Sequence, residues 1–535
     1  MAQVEELVAS GFLVRDPQGQ QVLYRHSHAL LREVAYQSIW ATDRQRLHAA
    51  ILSVYQQHMP QFVHSHPSAM AQHWLAAGEP EKAVEFFLLA ALASKRRAAH
   101  SVSTDCCEAA LALIEKLPER PPLRRLQLDM SLLAAGQIMA THGYGTDRAG
   151  QHFRQALRLS EALGDDKACV KAQLGLHSFH LLRGQFDAAE HFVQDGLQSP
   201  RAEGDALTRL LWCFAQAMLA FYRGQMRTSA ETFQACERLC EAVPQSQQLI
   251  QSPQVMSLMY RAFCLWTLGQ TEAAVALGRQ GLALAQHHPF RLARIQAHGI
   301  HAMLMYCRGD WLPARHAAQA ALEVAEQGEY ILWAALARFV EGAARVQLGL
   351  RQALPELDMA QALAQMQQAE QQWAASCSVL TRPFFLTTLA QCHMDLRQWD
   401  AAQACLDLAQ VLMTRHGERY FDTETQRTQA MLWLLKAVEA GPASQTHIQH
   451  LLEQAYTQAQ QRGLHSLRLR VALSMADCER LSPSLCQWLG QRDGAARWLA
   501  ESLRALPADS SSQDARRARE LLALSPEATE TRSYS

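Results

Sequence analysis

Residues 307–317 read CRGDWLPARHA, and stretches of the same kind recur along the chain. They are AAGEPEKAVEF at 76–86, LLRGQFDAAEHF at 181–192, YRGQMRTSAETF at 222–233, TLGQTEAAVAL at 267–277 and LRQWDAAQACL at 396–406. Each joins the end of one helical pattern, through a short turn, to a second, Ala-rich helix. The turn glycines Gly184, Gly224, Gly269 and Gly309 are 40, 45 and 40 residues apart. A stricter phase lies beneath this spacing. Seven residues before the turn stand Ala71, His177, Ala262, Ala302 and Ala390. Five residues after it stand Ala83, Ala189, Ala274, Ala314 and Ala402, and seven further on Ala90, Gly196, Gly281, Ala321 and Ala409. Fourteen of these fifteen positions are Ala or Gly, the exception being His177. The Gly224 unit reads one residue out of phase after its turn, and near Gly349 the pattern degrades to LGLRQALPELDMA.

Small residues at fixed positions let two helices of a pair approach closely, and stacking the pairs buries an apolar stripe that neither helix can bury alone. The unit resembles the tetratricopeptide (TPR) repeat with lengthened helices. The expected fold is all-α: a TPR-like α-solenoid, a superhelix of antiparallel helix pairs. Further pairs are expected at 124–163, 330–370, 421–462 and 464–504.

Composition agrees. Apolar residues are 49% of the 535 but aromatics only 7%, which is the balance of Ala- and Leu-rich packed helices. Fifty basic residues face 51 acidic ones, so no basic excess marks a nucleic-acid surface. None of the six lysines follows a glycine, which excludes the Gly-Lys-Ser/Thr core of a phosphate-binding P-loop. No 20-residue apolar run and no basic-then-apolar leader is present, and the 13 scattered cysteines read as buried thiols. A cytoplasmic location is expected.

Residues 1–60 read differently. A short helix at Val4–Ala9 precedes strands at Gly11–Arg15 and Val22–Arg25 around an Asp16–Gly19 turn, with helices from His28 onward. Helix, short β-hairpin, helix is the rear half of a winged helix. The expected organisation is therefore a winged-helix remnant and linker helix over 1–60, the repeat array over 61–505, and a mostly disordered tail over 506–535, with one last helix at 513–524.

The stretch from Tyr24 to Ile51 resembles the segment that follows the ATPase core in bacterial STAND-type signalling ATPases. His28, Ala29, Leu30, Ala35 and Tyr36 match its aromatic-x-x-His-Ala-Leu-x-x-x-x-Ala-Tyr pattern, and Arg44, Leu47 and His48 its Arg-x-x-Leu-His. Ala71-Gln72-His73-Trp74, the loop Met139–Tyr144 and His288-Pro289-Phe290 resemble that family's repeats. The resemblance implies a regulatory region accompanying an ATPase and a class III nucleotide cyclase, or a transcription-factor domain as in maltose-activator-type regulators. The ATPase residues themselves have no counterpart here. A split gene, a truncated reading frame and a free-standing repeat protein all fit that departure.

No catalytic or cofactor-binding residues are expected. His177/His180 and His298/His301 stand one helical turn apart, and His64, His66 and His73 form a looser group. None has the third ligand that a zinc site needs, and all are expected to be packing residues. A TPR array binds through the concave face lined by its first helices. By the repeat phase that lining includes Met256, Met259, Phe263, Trp266, Met303, Tyr306, Phe384 and Met394, an adaptable surface for a peptide or helix. The competing expectation is that the superhelix closes on itself and buries these side chains as core. No lysine-rich carboxylate clamp is visible. The expected function is a non-catalytic protein-interaction module, with a protein or peptide partner such as a separately encoded ATPase or cyclase half. Its alternatives are a small-ligand sensor of a transcription regulator and a DNA-binding regulator through residues 1–60. Arg15, Arg25, Arg32, Arg44 and Arg46 are balanced there by Glu5, Glu6, Asp16, Glu33 and Asp43, which disfavours the last.

Overall fold

A computed structural model of the chain describes residues 2–18, 21–143, 145–327, 329–351, 358–440, 445–483 and 494–523. They form two compact units, one of residues 1–97 with 102–130, the other of 98–101 with 131–535.

The first unit opens with α1 (Ala2–Ala9), then β1 (Leu13–Gln18) and β2 (Gln21–His26), paired antiparallel from Leu13–His26 to Gln18–Gln21. Asp16, Pro17 and Gln18, expected in a turn, are strand residues. Proline is tolerated because both strands of a two-stranded ribbon are edges. Helices α2 (Ala29–Ser38), α3 (Ala41–His58), α4 (Pro60–Ser65), α5 (Pro67–Ala76) and α6 (Pro80–Arg96) follow. Proline starts three of them, at the position where the missing N–H costs nothing. Helices α7 (His100–Ile114) and α8 (Pro121–His142) come next.

The second unit continues with α9 (Asp147–Leu163), α10 (Asp166–Leu182), α11 (Phe186–Gln198), α12 (Pro200–Gly204), α13 (Ala206–Tyr222) and α14 (Met226–Ala242). After a 3-10 turn at Pro244–Gln248 come α15 (Pro253–Thr267), α16 (Thr271–Gln286), α17 (Arg291–Arg308), α18 (Trp311–Ala325), α19 (Ile331–Leu350) and α20 (Met359–Ala375). The described part closes with α21 (Arg382–Asp395), α22 (Trp399–His416), α23 (Asp422–Ala440), α24 (Gln445–Gln461), α25 (His465–Leu481), α26 (Gly494–Arg504) and α27 (Gln513–Ala523). Successive helices pack in pairs and each pair packs on the next, so the unit is a TPR-like helical solenoid. Within the described residues, each of the four expected additional ranges holds two helices. The ending from Ser525, expected to be disordered, lies outside the described residues.

The small-residue phase is the packing register. Ala262, Ala274, Ala302, Ala314, Ala390 and Ala402 are fully buried. The pair after Gly224 is in phase after all: Ser229 and Cys236 fill the small slots, fully buried, and Ser229 Oγ donates to the Ala217 carbonyl at 3.0 Å. His177 does the same work by a different route. Its Nδ1 lies 3.0 Å from the carbonyl of Ala189, the residue in the facing small slot. The phase lost near Gly349 returns as well. A Cβ on Gly342 would lie 2.9 Å from the Ala362 carbonyl, and Ala369 follows seven residues later, also buried. Gly342 and Ala362 are 20 positions apart where other pairs have 12, so the connection is eight residues longer and the register is unchanged.

A second, longer-range register closes the solenoid. The Leu182 carbonyl, at the end of α10, accepts from the Val379 N–H at 2.8 Å, and the Tyr222 carbonyl, at the end of α13, from the Arg419 N–H at 2.8 Å. The Trp266 carbonyl in the last turn of α15 accepts from Ser466 Oγ at 2.5 Å, and the Cys307 carbonyl in the last turn of α17 from the Arg470 guanidinium. Carbonyls at a helix C-terminus have no partner within the helix, and these donors supply one. The first three donors stand 197, 197 and 200 residues downstream, at the entry to the fifth helix pair on. For α17 the entry to α27 takes that place, with Gln513 against Gly309.

Two chambers inside the helical unit

The closed register decides where the expected concave lining goes. Met256, Met259, Phe263, Trp266, Met303, Tyr306, Phe384 and Met394 are all buried, the most accessible being Met394 at 9%. Among the described residues these side chains line no open groove. Met259, Phe263, Trp266 and Phe384 pack as core, with Phe263 edge-on to Trp266 and Phe384 edge-on to Phe421. Met256 and Met303 line one internal chamber, Tyr306 and Met394 another.

The first chamber, of about 180 Å³, is mostly apolar, with Leu181, Phe214, Met218, Met256, Met303 and Trp333 among its walls. His177 is a polar exception. Burial lowers its pKa to about 4, opposed by its bond to the Ala189 carbonyl, so the ring is neutral at physiological pH. A carbonyl only accepts, so Nδ1 carries the proton and Nε2 is left as an acceptor. The Tyr420 hydroxyl, also in the wall, is buried with no hydrogen-bond partner among the described residues. Behind Thr381 and Tyr420, Glu418 is buried and accepts from the Thr381 N–H at 3.1 Å. Burial pushes its carboxyl up to about 8, against that hydrogen bond.

The second chamber, of about 380 Å³, is charged. Arg351, Arg427, Arg470 and Arg517 line it together with Asp395, Glu424, Asp477 and Asp514. Three ion pairs absorb most of this. Arg427 grips Glu424 through Nε at 3.1 Å and Nη2 at 2.6 Å, Arg470 holds Asp514 at 2.7 Å, and Arg517 holds Asp477 at 2.6 Å. Burial would raise the Glu424 carboxyl, but Arg427, Arg470 and a 3.0 Å bond from Gln391 outweigh it and hold it down to about 2. Arg351 and Asp395 remain, and they are joined by one side chain. Gln347 Nε2 donates to Asp395 at 2.7 Å, and Gln347 Oε1 accepts from Arg351 Nη1 at 2.7 Å. The Arg351 guanidinium lies 3.7 Å from the Trp311 ring centroid. No lysine lies among these charges, so a lysine clamp is no guide to them; Arg351, Gln347 and Asp395 sit at first-helix ends, where a charged residue among apolar neighbours is the available signal.

In the first unit, residues that carried the family resemblance meet. Tyr36 Oη lies 3.0 Å from His48 Nε2, and His48 Nδ1 lies 2.8 Å from His73 Nδ1. Burial first, then Arg44 for His48 and His48 for His73, lowers both pKa values. His66 stacks instead on Phe62. His180 bonds Gln185, and among the described residues no group of three or more His, Cys, Asp or Glu is placed to hold a metal. Around the Tyr36–His48 contact the apolar stripes are bare. Helix α2 has no buried residue, Leu30, Val34 and Trp40 are 74%, 59% and 80% exposed, and Leu47 and Val54 of α3 are each 51% exposed.

The class defined by this architecture is a TPR-like helical repeat protein, preceded by a short helix and a two-stranded hairpin. No protein-family model matches the chain. It is 27% identical over 157 residues to an uncharacterized protein of Rhizobium meliloti (strain 1021), a match covering 29% of this chain but 15% of that longer relative. Among solved structures it is similar to a Rap protein complexed with competence and sporulation factor (13% identity, 74% of this chain and 99% of the other, TM-score 0.48). It is also similar to NprR in complex with its cognate peptide NprX (12%, 69% and 93%, 0.41). A third likeness is to a STAND protein with a tetratricopeptide repeat sensor from Pyrococcus horikoshii (10%, 76% and 57%, 0.38). Among the described residues no helix is long and apolar enough to cross a membrane.

Proposed function

We propose that this chain is a non-catalytic regulatory module of a bacterial STAND-type signalling system, docking through residues 1–60 onto the ATPase-bearing or cyclase-bearing part of that system. The observation that carries this reading is the bare stripe of Leu30, Val34, Trp40, Leu47 and Val54. Leu30/Val34 and Leu47/Val54 recur at helical spacing, so each helix presents a coherent apolar face, and contiguous apolar faces of this kind mark protein contacts. The match of Tyr24–Ile51 to the segment after the ATPase core supports the choice of partner. The absence of a basic excess in residues 1–60 argues for a protein partner over DNA.

Size-exclusion chromatography with light scattering, on this chain mixed with a P-loop ATPase polypeptide encoded beside it, tests the reading. A stable complex is expected, and Leu30→Glu or Val34→Glu should abolish it without changing the helical circular-dichroism signal. A complex that survives both substitutions, or no complex with the unaltered chain, would sink the proposal. A second reading, sensing of a small ligand within the helical array, is favoured by the two internal chambers.

A further inference from the structure

We propose that the charged chamber is a receptor for a small zwitterion, a free α-amino acid with an apolar side chain, whose carboxylate pairs with Arg351 and whose ammonium pairs with Asp395. This rests on the reading of the array as a ligand sensor and not on docking through residues 1–60.

The argument starts from charge matching. Eight ionised side chains line the chamber, and six of them pair with one another. The two left over, Arg351 and Asp395, have opposite signs and form no direct ion pair among the described residues, though each favours the charged form of the other through space. Burial works against the charged form of each, and the opposite charge across Gln347 works for it. Burial raises the Asp395 carboxyl and lowers the Arg351 guanidinium from their ordinary values. Asp395 is nonetheless open to the chamber, as is Arg351. A ligand bringing one positive and one negative group satisfies both at once, whereas an anion or a cation alone leaves one of them unpaired.

Geometry narrows the class. Gln347 bridges the two residues with the two ends of a single carboxamide, so the receptor charges are set about one small polar group apart. That is the separation of ammonium and carboxylate in an α-amino acid. Both receptor groups are held in place: Arg351 by Gln347 and by stacking on Trp311, Asp395 by Gln347. Pre-set donors lose little freedom on binding, and guanidinium matches carboxylate with two parallel N–H bonds. The rest of the wall is mixed, and its apolar share, Met394, Phe421, Met431, Leu435 and Leu473, can take an apolar side chain. At about 380 Å³ the chamber is at the small end of the range for ligand sites.

Thermal-shift and calorimetric titrations of the full chain with L-leucine, L-methionine and L-phenylalanine test the proposal, beside N-acetyl-leucine, which lacks the ammonium, and leucinamide, which lacks the carboxylate. At least one free amino acid should raise the Tm, with N-acetyl-leucine and leucinamide binding at least tenfold more weakly. Arg351→Gln should remove the preference for leucine over leucinamide, and Asp395→Asn that for leucine over N-acetyl-leucine, each in protein with an unchanged apo circular-dichroism spectrum. Should either variant fail to fold, the ligand comparison on the unaltered chain still decides. Equal binding of leucine and its two blocked forms would overturn the zwitterion receptor while leaving the sensor reading standing. Binding by none of the compounds, up to millimolar concentration, would overturn the receptor outright.

Discussion

His177 and Glu418 both sit beside the apolar chamber, yet they pull stability in opposite directions with pH. His177 and, in α17, His301 have pKa values lowered by burial from 6.5 to about 4. Between those values the unfolded chain binds a proton that the folded chain refuses, so their contribution is complete above about pH 6.5 and declines as pH falls towards 4. Glu418 is the reverse case. Its carboxyl is raised from 4.5 to about 8, so the fold keeps a proton that the unfolded chain releases. That contribution is complete below about pH 4.5 and is lost as pH rises through 8. Glu418→Gln keeps the oxygen that accepts from Thr381 and removes the titration. We expect its Tm to exceed that of the unaltered chain at pH 8–9 by several degrees, with the gap closing towards pH 5. A constant gap across that range in differential scanning calorimetry would show that the carboxyl does not titrate as described. No pattern in the sequence distinguishes Glu418 from the chain's other acidic residues. What makes it special is Thr381 and Tyr420, and only folding brings the three together.

At the scale of the element, the turn after each first helix is where sequence and structure agree most closely, and where the disagreements are most instructive. Gly224 has φ +73°, and a Cβ there would lie 2.7 Å from the Arg419 carbonyl, so glycine is required by conformation and by space at once. Gly224→Ala should cost about 1–3 kcal/mol, from the left-handed backbone and from displacing the Arg419 strap, read as a shift of the urea midpoint at unchanged slope. The same turn position in the α21–α22 pair is Arg397, at φ +58°. The described array offers no fifth pair beyond it, and here a side chain sits on the left-handed backbone that glycine takes at the other turns. Arg397→Gly should therefore relieve about 1 kcal/mol of backbone strain and raise the Tm, where Gly224→Ala lowers it. The small-residue phase was legible because it is local: it repeats wherever two helices of a pair meet. The Ser229 and His177 substitutions obscured it because a hydroxyl or imidazole can fill a small slot only by bonding the facing carbonyl, and composition does not encode that bond. The fading of the glycine signal after Gly309 was legible too, but its cause was not.

That cause belongs to the whole molecule. The eight Met and aromatic positions expected on the concave lining are buried, and for those of α15 the covering segment is encoded about 200 residues downstream, out of reach of any local pattern. Arg462 is the clasp most open to test. It holds Asp422 at 2.7 Å, the Gly224 carbonyl at 3.0 Å and the Arg419 carbonyl at 2.8 Å. Arg462→Ala should cost about 2–4 kcal/mol, since it leaves a largely buried carboxylate and two turn carbonyls short of partners. Hydrogen exchange should accelerate together in residues 220–226 and 419–424. Faster exchange in only one of the two segments would show that they are not coupled through this side chain.

The long register also sets a clock. An ordinary repeat array can zip up from any point, each unit leaning on its neighbours as they appear. Here the glycine turn at Gly184 waits for Val379 and that at Gly224 for Arg419, and a ribosome adding about 5–20 residues each second reaches them roughly 10–40 s later. For that interval the nascent coil is paired but open, its methionine- and aromatic-lined interior exposed to water and to chaperones. The apolar chamber comes into being only once Tyr420 has been made, and the charged one only after Arg517.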